Sequence, residues 1–297
     1  MMELSKLNRI HFLGVGGIGM SALAKYFLFK EFRISGYDRV ESKLTRSLFN
    51  KGAFIKYEDD INLFPDISDI DLVVYTPAIP EDNNQMKYFK ENNIPIYKRA
   101  KVLGLITNNY NTIAVAGTHG KTTTSSISAH IIHNSGNGGV AFLGGIATNY
   151  NSNILLSKGN LAVVEADEYD RSFLELKPNT IVLTSMDADH LDIYKKRVNV
   201  EESFLEFADL ITDKKKLIIE ENLQDYFSQS LTYGFSSDSD LQIINLQIKS
   251  NSYYFDFKYK GKIHEGFTFK LPGKHNLLNA AGAVLSCLIN GISFTQV

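Results

Sequence analysis

The chain has 297 residues, of which 44% are hydrophobic, a formal net charge of −2 and a single cysteine. This length predicts two domains, or one large one, with a buried core, whereas the near-neutral charge argues against nucleic acid as a partner and the lone Cys287 excludes an internal disulfide framework. Because no uninterrupted apolar stretch reaches roughly 20 residues and no secretory leader precedes the first strand, we expect a cytoplasmic protein without membrane insertion.

The first predicted elements are a strand, a glycine-rich turn and a helix. The apolar run at residues 9–13 leads into a G-x-G-x-x-G pattern at 14–19, and a helical pattern follows at 20–27. A second strand, at 32–36, is followed by Asp38, an acid at the distance that suits a ribose hydroxyl. Taken alone, these residues indicate a Rossmann-like domain and an NAD-dependent dehydrogenase. Close packing of the helix on the strand is the alternative reason for the glycines.

Strands and helices continue to alternate after this turn. A buried-type strand is predicted at 71–76, a charged helix at 84–92 and a connecting helix from residue 98. This alternation predicts a parallel sheet covered on both faces. Ligands of such sheets bind at the carboxyl ends of the strands, where the sequence places Gly16, Gly17, Asp38 and Thr76.

An asparagine cluster at residues 108–111 marks a plausible domain boundary. We therefore expect a first domain at 1–107 and a second at 108–297, both of the α/β class. In the second domain, apolar runs and helical patterns again alternate, which predicts a mainly parallel sheet. From Leu241 to Leu271 the hydrophobic period changes to two, which predicts a small antiparallel ribbon whose aromatic stripe faces the core.

The second domain begins with a strand that enters a tight glycine loop. Gly117 makes the turn, and Lys121 and Thr122 follow it at the start of a predicted helix. Such a loop presents backbone N–H groups, a helix N-terminus and a lysine charge to phosphates, and the threonine hydroxyl can hold Mg²⁺. Val115 stands where the general P-loop pattern has its first glycine, so that pattern is only partly met. The predicted function of the loop is to bind a nucleoside triphosphate.

Side chains farther along the chain are candidates to complete this site. One strand ends at Glu165, and another ends shortly before His190. Carboxylate oxygens are the ligands that a hard cation prefers, although a solvated acidic turn and a surface histidine are the alternatives. Asn276 and Asn279 share one side of a predicted first helical turn and could bind a purine edge, with helix capping by Asn276 as the alternative.

The strand predicted at 140–143 is expected to turn at Gly144 into a polar loop that contains Asn149, Asn151 and Asn153. Glycine and asparagine are typical turn residues. Ser185, just before the His190 segment, is given no catalytic role.

Four segments, in this order, resemble the Mur ligases, the ATP-dependent amide-forming enzymes of peptidoglycan assembly. They are GTHGKTTT at 117–124, EADEYDRSF at 165–173, DADHLDIY at 187–194 and PGKHNLLNA at 272–280. The resemblance covers nearly the whole chain, and it implies that the first glycine loop holds the UDP of a nucleotide sugar instead of NAD. The segment at 14–24 is most similar to family members that join L-alanine to UDP-N-acetylmuramate. Ligases that recycle murein peptides share the ATP loop and are the nearest alternative.

The resemblance also implies a role for individual residues. Those near the diphosphate, uridine or sugar would be Gly16, Gly17, Met20, Ser21, Asp38 and Thr76. Those that bind ATP would be Gly117, Thr118, His119, Gly120, Lys121, Thr122 and Thr123, with His275, Asn276 and Asn279 around the adenine. Mg²⁺ would be held by Thr122, Glu165 and His190, and the catalytic residues would be Lys121, Glu165 and His190.

The implied reaction activates a carboxylate. The lactyl carboxylate of UDP-N-acetylmuramate attacks the γ-phosphate of ATP, and the amine of L-alanine then displaces phosphate from the acyl phosphate. The family has a third, C-terminal domain that closes on ATP and helps to hold the amino acid. Since the chain ends at Val297, just after the Asn279 helix, we expect that domain to be absent. A truncated module that binds the UDP-sugar and ATP without turnover is therefore a further alternative.

Overall fold

A computed structural model of the chain describes residues 4–65, 67–187 and 197–297. The chain divides into two compact units, which are residues 1–109 with 142–156, and residues 110–141 with 157–297. The described residues form one sheet of five strands and one of ten, together with helices. The predicted α/β class is therefore confirmed. No helix in these ranges is long and apolar enough to cross a membrane.

The five-stranded sheet of the first unit is entirely parallel. Its strands are β1 (Arg9–Leu13), β2 (Arg33–Tyr37), β3 (Phe54–Lys56), β4 (Leu72–Tyr75) and β5 (Ile96–Lys98), in the order β3-β2-β1-β4-β5. The helices of this unit are α1 (Ile18–Phe29), α2 (Lys43–Phe49), α3 (Asn84–Glu91) and α4 (Arg99–Thr107). This order, with strands added on both sides of β1, places the turn that follows β1 at the point where the strand order reverses.

The sequence explains why these elements form. Central strand β1 is buried on both faces, as is typical of a parallel sheet. Its Phe12 and Leu13 are fully buried, and so is the polar His11. Helix α1 follows at once, with Gly17 as its N-cap. Helix α2 begins in a capping box between Ser42 and Thr45, and such reciprocal hydrogen bonds satisfy amides that have no partner within a helix.

The ten-stranded sheet is parallel in its centre and antiparallel at one end. Its strands are β6 (Asn111–Ala116), β7 (Gly139–Ala147), β8 (Ser152–Leu156), β9 (Leu161–Glu165), β10 (Thr180–Leu183), β11 (Leu217–Glu220), β12 (Leu231–Gly234), β13 (Leu241–Lys249), β14 (Ser252–Tyr259) and β15 (Lys262–Phe269). Their order is β15-β14-β13-β12-β11-β10-β6-β9-β7-β8. The helices are α5 (Lys121–Asn134), α6 (Arg197–Ala208) and α7 (Lys274–Ile289).

The antiparallel ribbon was predicted from the period of two and is present. Strands β13, β14 and β15 pair antiparallel, and the aromatic residues of β14 that point inwards are buried, as Phe255 and Phe257 show. Helix α7 contains Cys287, which is fully buried. Burial raises the pKa of its thiol to about 12, so this cysteine is an unreactive core residue.

The region after residue 143 differs from the prediction. Strand β7 does not turn at Gly144 but continues to Ala147, and β8 was not predicted. The alternating exposure after Leu143 and the glycines weaken the hydrophobic pattern that identifies a strand. Residues 142–156 group with the first unit, where the ring of Phe142 lies 5.6 Å from that of Tyr26.

Candidate active site

The loop after β6 has a backbone that requires glycine at two positions. Gly117 has φ +134° and Gly120, the N-cap of α5, has φ +85°, which are conformations that side chains with a Cβ rarely adopt. There is also no space for a Cβ, since one at Gly117 would lie 2.3 Å from Oγ1 of Thr184 and one at Gly120 would lie 2.3 Å from Oδ1 of Asn279. This loop is therefore a narrow cradle with no room for a side chain at either glycine.

Residues directly after β10 hold this cradle in place. The hydroxyl of Thr118 donates to the carbonyl of Asp187 at 2.8 Å, and the amide of His119 donates to Oγ of Ser185 at 2.9 Å. The hydroxyl of Thr184 donates to the carbonyl of Ala116 at 3.2 Å. Ser185 thus positions the loop, although the sequence alone suggests no role for it. Its place at the end of β10, the strand that pairs with β6, is the signal that could have identified it.

The first turn of α5 supplies free amides and a cation. The earliest intrahelical bond runs from the amide of Thr124 to the carbonyl of Gly120 at 2.9 Å, so the amides of Lys121, Thr122 and Thr123 have no such partner within the helix. These amides are the groups that bind an anion at a helix N-terminus. The predicted phosphate-binding residues are thus brought together in one loop and one helical turn.

The ammonium of Lys121 is held across this loop. It donates to the carbonyl of Gly117 at 2.6 Å and to that of Thr118 at 3.2 Å, and it lies 2.9 Å from Oε1 of Glu168. The Glu168 side chain is only 3% exposed, so the ion pair is screened little by solvent. Lys121 and Glu168 are 47 positions apart in the chain, and no sequence pattern indicates that they form an ion pair. The sequence places Glu168 close to the candidate metal ligand Glu165, as an outer contact or a local partner of Arg171 or Lys177, but it does not indicate the ion pair with Lys121.

The hydroxyl of Thr122 and the carboxylate of Glu165 meet beside the cradle. The hydroxyl of Thr122 donates to Oε1 of Glu165 at 3.0 Å. A hydroxyl and a carboxylate are a donor set that suits Mg²⁺, which typically takes one or two protein oxygens and completes its shell with phosphates and water. His190, the third predicted ligand, lies outside the described residues. Within those residues, no group of three histidine, cysteine, aspartate or glutamate side chains is placed to hold a metal ion.

The start of α7 lies against the same loop. The side-chain amide of Asn279 lies against Gly120. Its Nδ2 donates to Oδ1 of Asn276 at 3.5 Å. Asn276 donates to the carbonyl of Pro272 at 2.7 Å, and the N-cap of α7 is Gly273, against which the His275 ring folds. The helix is therefore not capped by Asn276.

In the first unit, the glycine loop after β1 is joined to Asp38. The amide of Gly16 donates to Oδ2 of Asp38 at 2.7 Å, and Gly14 has φ +84° with its α-carbon close to the methyl group of Thr76. Gly17 is the N-cap of α1. The structure thus brings together Gly16, Gly17, Asp38 and Thr76, as expected of residues at the carboxyl ends of parallel strands.

Met20 and Ser21 face the interior of this unit. Met20 is 2% exposed and Ser21 is fully buried. The Ser21 hydroxyl donates to the carbonyl of Ile18 at 3.0 Å and accepts a bond from Nδ2 of Asn153 at 2.9 Å. Asn153 also donates to the carbonyl of Ile18 at 2.6 Å. Ser21 thus helps to fix the start of α1, which follows directly on the glycine loop, while Met20 is a core residue.

Two family models match this chain. They are the Mur ligase family, catalytic domain, over residues 9–111, and the Mur ligase middle domain over residues 115–287. The chain therefore belongs to the Mur ligase family.

Curated relatives and solved structures agree with this. The chain is 46% identical over 285 residues to the UDP-N-acetylmuramate--L-alanine ligase of Flavobacterium johnsoniae, covering 95% of this chain and 63% of the relative. The crystal structure of UDP-N-acetylmuramate-alanine ligase from Thermotoga maritima is 26% identical, with a TM-score of 0.83 over 97% of this chain and 66% of that one. The chain thus spans slightly less than two thirds of these relatives.

A further solved structure shares the fold. It is the UDP-N-acetylmuramate:L-alanyl-gamma-D-glutamyl-meso-diaminopimelate ligase from Neisseria meningitides, with a TM-score of 0.84 and 22% identity, covering 96% of this chain and 94% of that one. At this identity the similarity shows the architecture alone.

Proposed function

We propose that this chain contains the UDP-sugar-binding and ATP-binding parts of a ligase that joins L-alanine to the carboxylate of UDP-N-acetylmuramate. The observation that carries the proposal is the 46% identity, over 95% of the chain, with a relative of that name. In this proposal residues 1–107 bind the UDP-sugar and residues 108–297 bind ATP. Because both nucleotides are cytoplasmic metabolites, we place the reaction in the cytoplasm.

The cradle is suited to a triphosphate. The free amides of Lys121, Thr122 and Thr123 would bind phosphate oxygens, and the nearby Lys121 ammonium would offset their charge. Bound ATP supplies the phosphoryl group that turns the substrate carboxylate into an acyl phosphate, which the amine of L-alanine then attacks. Two anions that repel each other must meet in this step, so charge neutralisation and alignment by fixed groups account for the role of the loop.

Thr122 and Glu165 would hold the Mg²⁺ that accompanies ATP. Their two oxygens are already 3.0 Å apart, so little rearrangement is needed for both to face one ion. The ion would add positive charge next to the triphosphate. We also propose His190 as a ligand, on the resemblance of its segment to the family. At the adenine end, we propose His275, Asn276 and Asn279, of which Asn279 contacts the loop at Gly120.

The first glycine loop would bind the diphosphate of the UDP-sugar. Gly16 and Gly17 lack a Cβ, so a phosphate can approach the backbone of the turn closely. Asp38 and Thr76 flank the loop and would contact the uridine or the sugar. Met20 and Ser21 would act through the α1 backbone, because both side chains are buried.

The test is ADP release from ATP and Mg²⁺ in the presence of UDP-N-acetylmuramate and L-alanine, with calorimetric titration of each nucleotide. ADP release that requires both co-substrates supports the ligase. The Flavobacterium johnsoniae ligase serves as the positive control, and L-alanyl-γ-D-glutamyl-meso-diaminopimelate replaces L-alanine to test a recycling activity. Failure of the chain to bind UDP-N-acetylmuramate would rule the proposal out.

A second candidate function is a binding module without turnover. The observation in its favour is that the chain corresponds to only 63% of the Flavobacterium relative. It predicts that both nucleotides bind while ADP is not released, so the same assay separates the two functions.

A further inference from the structure

A cavity of about 460 Å³ opens in the first unit, and no residue of either glycine loop lines it. Its walls come from the second half of α1, from α2 and the turn after it, and from β8 with the turn before it. Its lining contains two lysines, Lys25 and Lys51, and no aspartate or glutamate. Buried charges in proteins are normally paired, so a cavity that contains a buried lysine and a second lysine but no carboxylate is unusual.

Lys25 is the deeper of these two lysines. It is 7% exposed, and its Nζ donates to Oδ1 of Asn153 at 2.8 Å. An ammonium has three donors, and in the described part of the chain Asn153 is its only hydrogen-bond partner. Burial, and to a smaller extent the charge of Lys51, lower the pKa of Lys25. An anion in the cavity would oppose both effects.

Lys51 lies at the exposed rim of the cavity, in the turn that follows α2. Among the described residues it forms no ion pair. Its long side chain allows the ammonium to move towards a bound group. Ser47 from α2 and Ser152 from β8 add hydroxyls to the lining. A buried lysine and an exposed lysine thus line the same cavity.

Most of the remaining lining is apolar. It contains Leu28, Ile154 and Leu156, together with Phe29, which is 48% exposed at the end of α1. Tyr150 and Asn151 add polar groups beside this apolar part. A cavity with a few polar groups on an otherwise apolar lining is the usual form of a small-molecule site. The lining therefore favours a ligand that has an anionic group at one end and an apolar group at the other.

We propose that this cavity binds a small organic anion, a phosphate ester or a carboxylate, whose charged group lies between Lys25 and Lys51 and whose apolar group packs on Phe29. Charge-assisted hydrogen bonds from the two ammonium groups would hold the anion. The site is separate from the two proposed nucleotide sites, because none of the residues proposed for those sites lines the cavity.

The experiment is a calorimetric titration of the chain with phenyl phosphate, and in a second arm with benzoate, to distinguish the two anion classes. Saturable binding is expected, and Lys51→Ala should weaken it roughly tenfold, since charged hydrogen bonds commonly contribute that much. Lys43→Ala removes an exposed lysine of the same α2 region that does not line the cavity, and it should leave the affinity unchanged. Inorganic phosphate should bind more weakly than phenyl phosphate because it does not use the apolar wall.

Lys25→Met should abolish binding while the chain remains folded, which circular dichroism will show. If this variant does not fold, the Lys51→Ala result decides, because Lys51 is exposed. Phenyl phosphate also carries a group that a glycine loop can accept, so binding that survives Lys51→Ala unchanged lies elsewhere and overturns the proposal. Absence of binding by both anions overturns it as well.

Discussion

Nζ of Lys121 lies 2.9 Å from Oε1 of Glu168, a carboxylate side chain that is only 3% exposed. The same ammonium donates to two carbonyls of the glycine loop. The lysine proposed to neutralise the triphosphate therefore also stabilises the loop through these contacts. Its substitution should affect both nucleotide binding and stability, and these two effects can be separated.

We expect Lys121→Ala to lower the free energy of unfolding by about 1–3 kcal/mol, because it removes an ion pair and two hydrogen bonds from a largely buried position. It should also abolish detectable ATP binding. Glu168→Gln should destabilise to a similar extent but retain most of the ATP affinity. Urea unfolding measures the stability and ATP titration measures the affinity. The double variant gives the interaction free energy between Lys121 and Glu168. A Lys121→Ala chain of unchanged stability would contradict the structural role of the ion pair.

Gly120 and Gly136 form a matched pair, since their φ angles are +85° and +84°. A Cβ at Gly136 meets nothing within 4 Å, whereas one at Gly120 meets Asn279. Gly136→Ala should cost about 1–2 kcal/mol from backbone strain alone, and Gly120→Ala should cost clearly more and weaken ATP binding. Adding Asn279→Ala to Gly120→Ala should recover part of the difference. Equal unfolding free energies for the two alanine variants would show that the contact with Asn279 is unimportant.

The bond between Thr122 and Glu165 leads to a prediction about Mg²⁺. Thr122→Val and Glu165→Gln should each weaken binding of Mg²⁺-ATP about tenfold, the loss expected when one charged contact is removed. Glu165→Gln should bind metal-free ATP as well as the original chain, or better, because a negative charge beside the triphosphate is lost. Titrations of ATP with Mg²⁺ and with EDTA measure the two affinities. Thr122→Ser keeps the hydroxyl and should therefore bind Mg²⁺-ATP as tightly as the original chain. If both variants lose affinity equally with and without Mg²⁺, these residues are not metal ligands.

Asn153 is fully buried and makes three hydrogen bonds, to Ile18, Ser21 and Lys25. Asn153→Ala should lower the free energy of unfolding by about 2–4 kcal/mol, because buried polar groups lose their partners. It should also weaken UDP-N-acetylmuramate binding, since α1 begins at the glycine loop. Asn149→Ala, at an exposed position of the preceding turn, is the control and should change stability by less than about 0.5 kcal/mol. Denaturant unfolding will show whether the two variants differ.

His11 should make the stability of the chain depend on pH. Burial lowers its pKa to about 4, even though the hydrogen bond that its Nε2 makes to Oε1 of Gln85 raises the pKa. Between pH 6.5 and about 4 the unfolded chain takes up a proton on His11 that the folded chain does not. The contribution of the neutral His11 to the free energy of unfolding is therefore fully present above pH 6.5 and is lost as the pH falls to about 4. The loss amounts to about 3 kcal/mol. The difference in unfolding free energy between the original chain and His11→Gln should shrink by that amount from pH 7.5 to 4, and a constant difference would refute the effect.

The parts of the fold that were predicted correctly rest on local signals. The glycine spacing at residues 117–120 and the period of two after Leu241 are visible in the sequence because each depends on neighbouring residues. Asn153 was assigned to a polar loop, since hydropathy cannot show that a polar side chain is buried when three bonds satisfy it. The contacts of Ser185 and Glu168 were not predicted for a similar reason, because their partners at His119 and Lys121 come from other parts of the chain.

Residues 142–156 complete the first compact unit but follow the glycine loop at 117–120 in the sequence. During synthesis, the start of α1 must therefore wait for Asn153, which lies 135 positions after Ile18, although domains generally fold in the order in which they emerge. A fragment cut near residue 109 would expose the partners of Asn153 to water. The two compact units of this chain thus cannot be separated by a single cut, and an isolated first unit would need 142–156 joined to it by a linker.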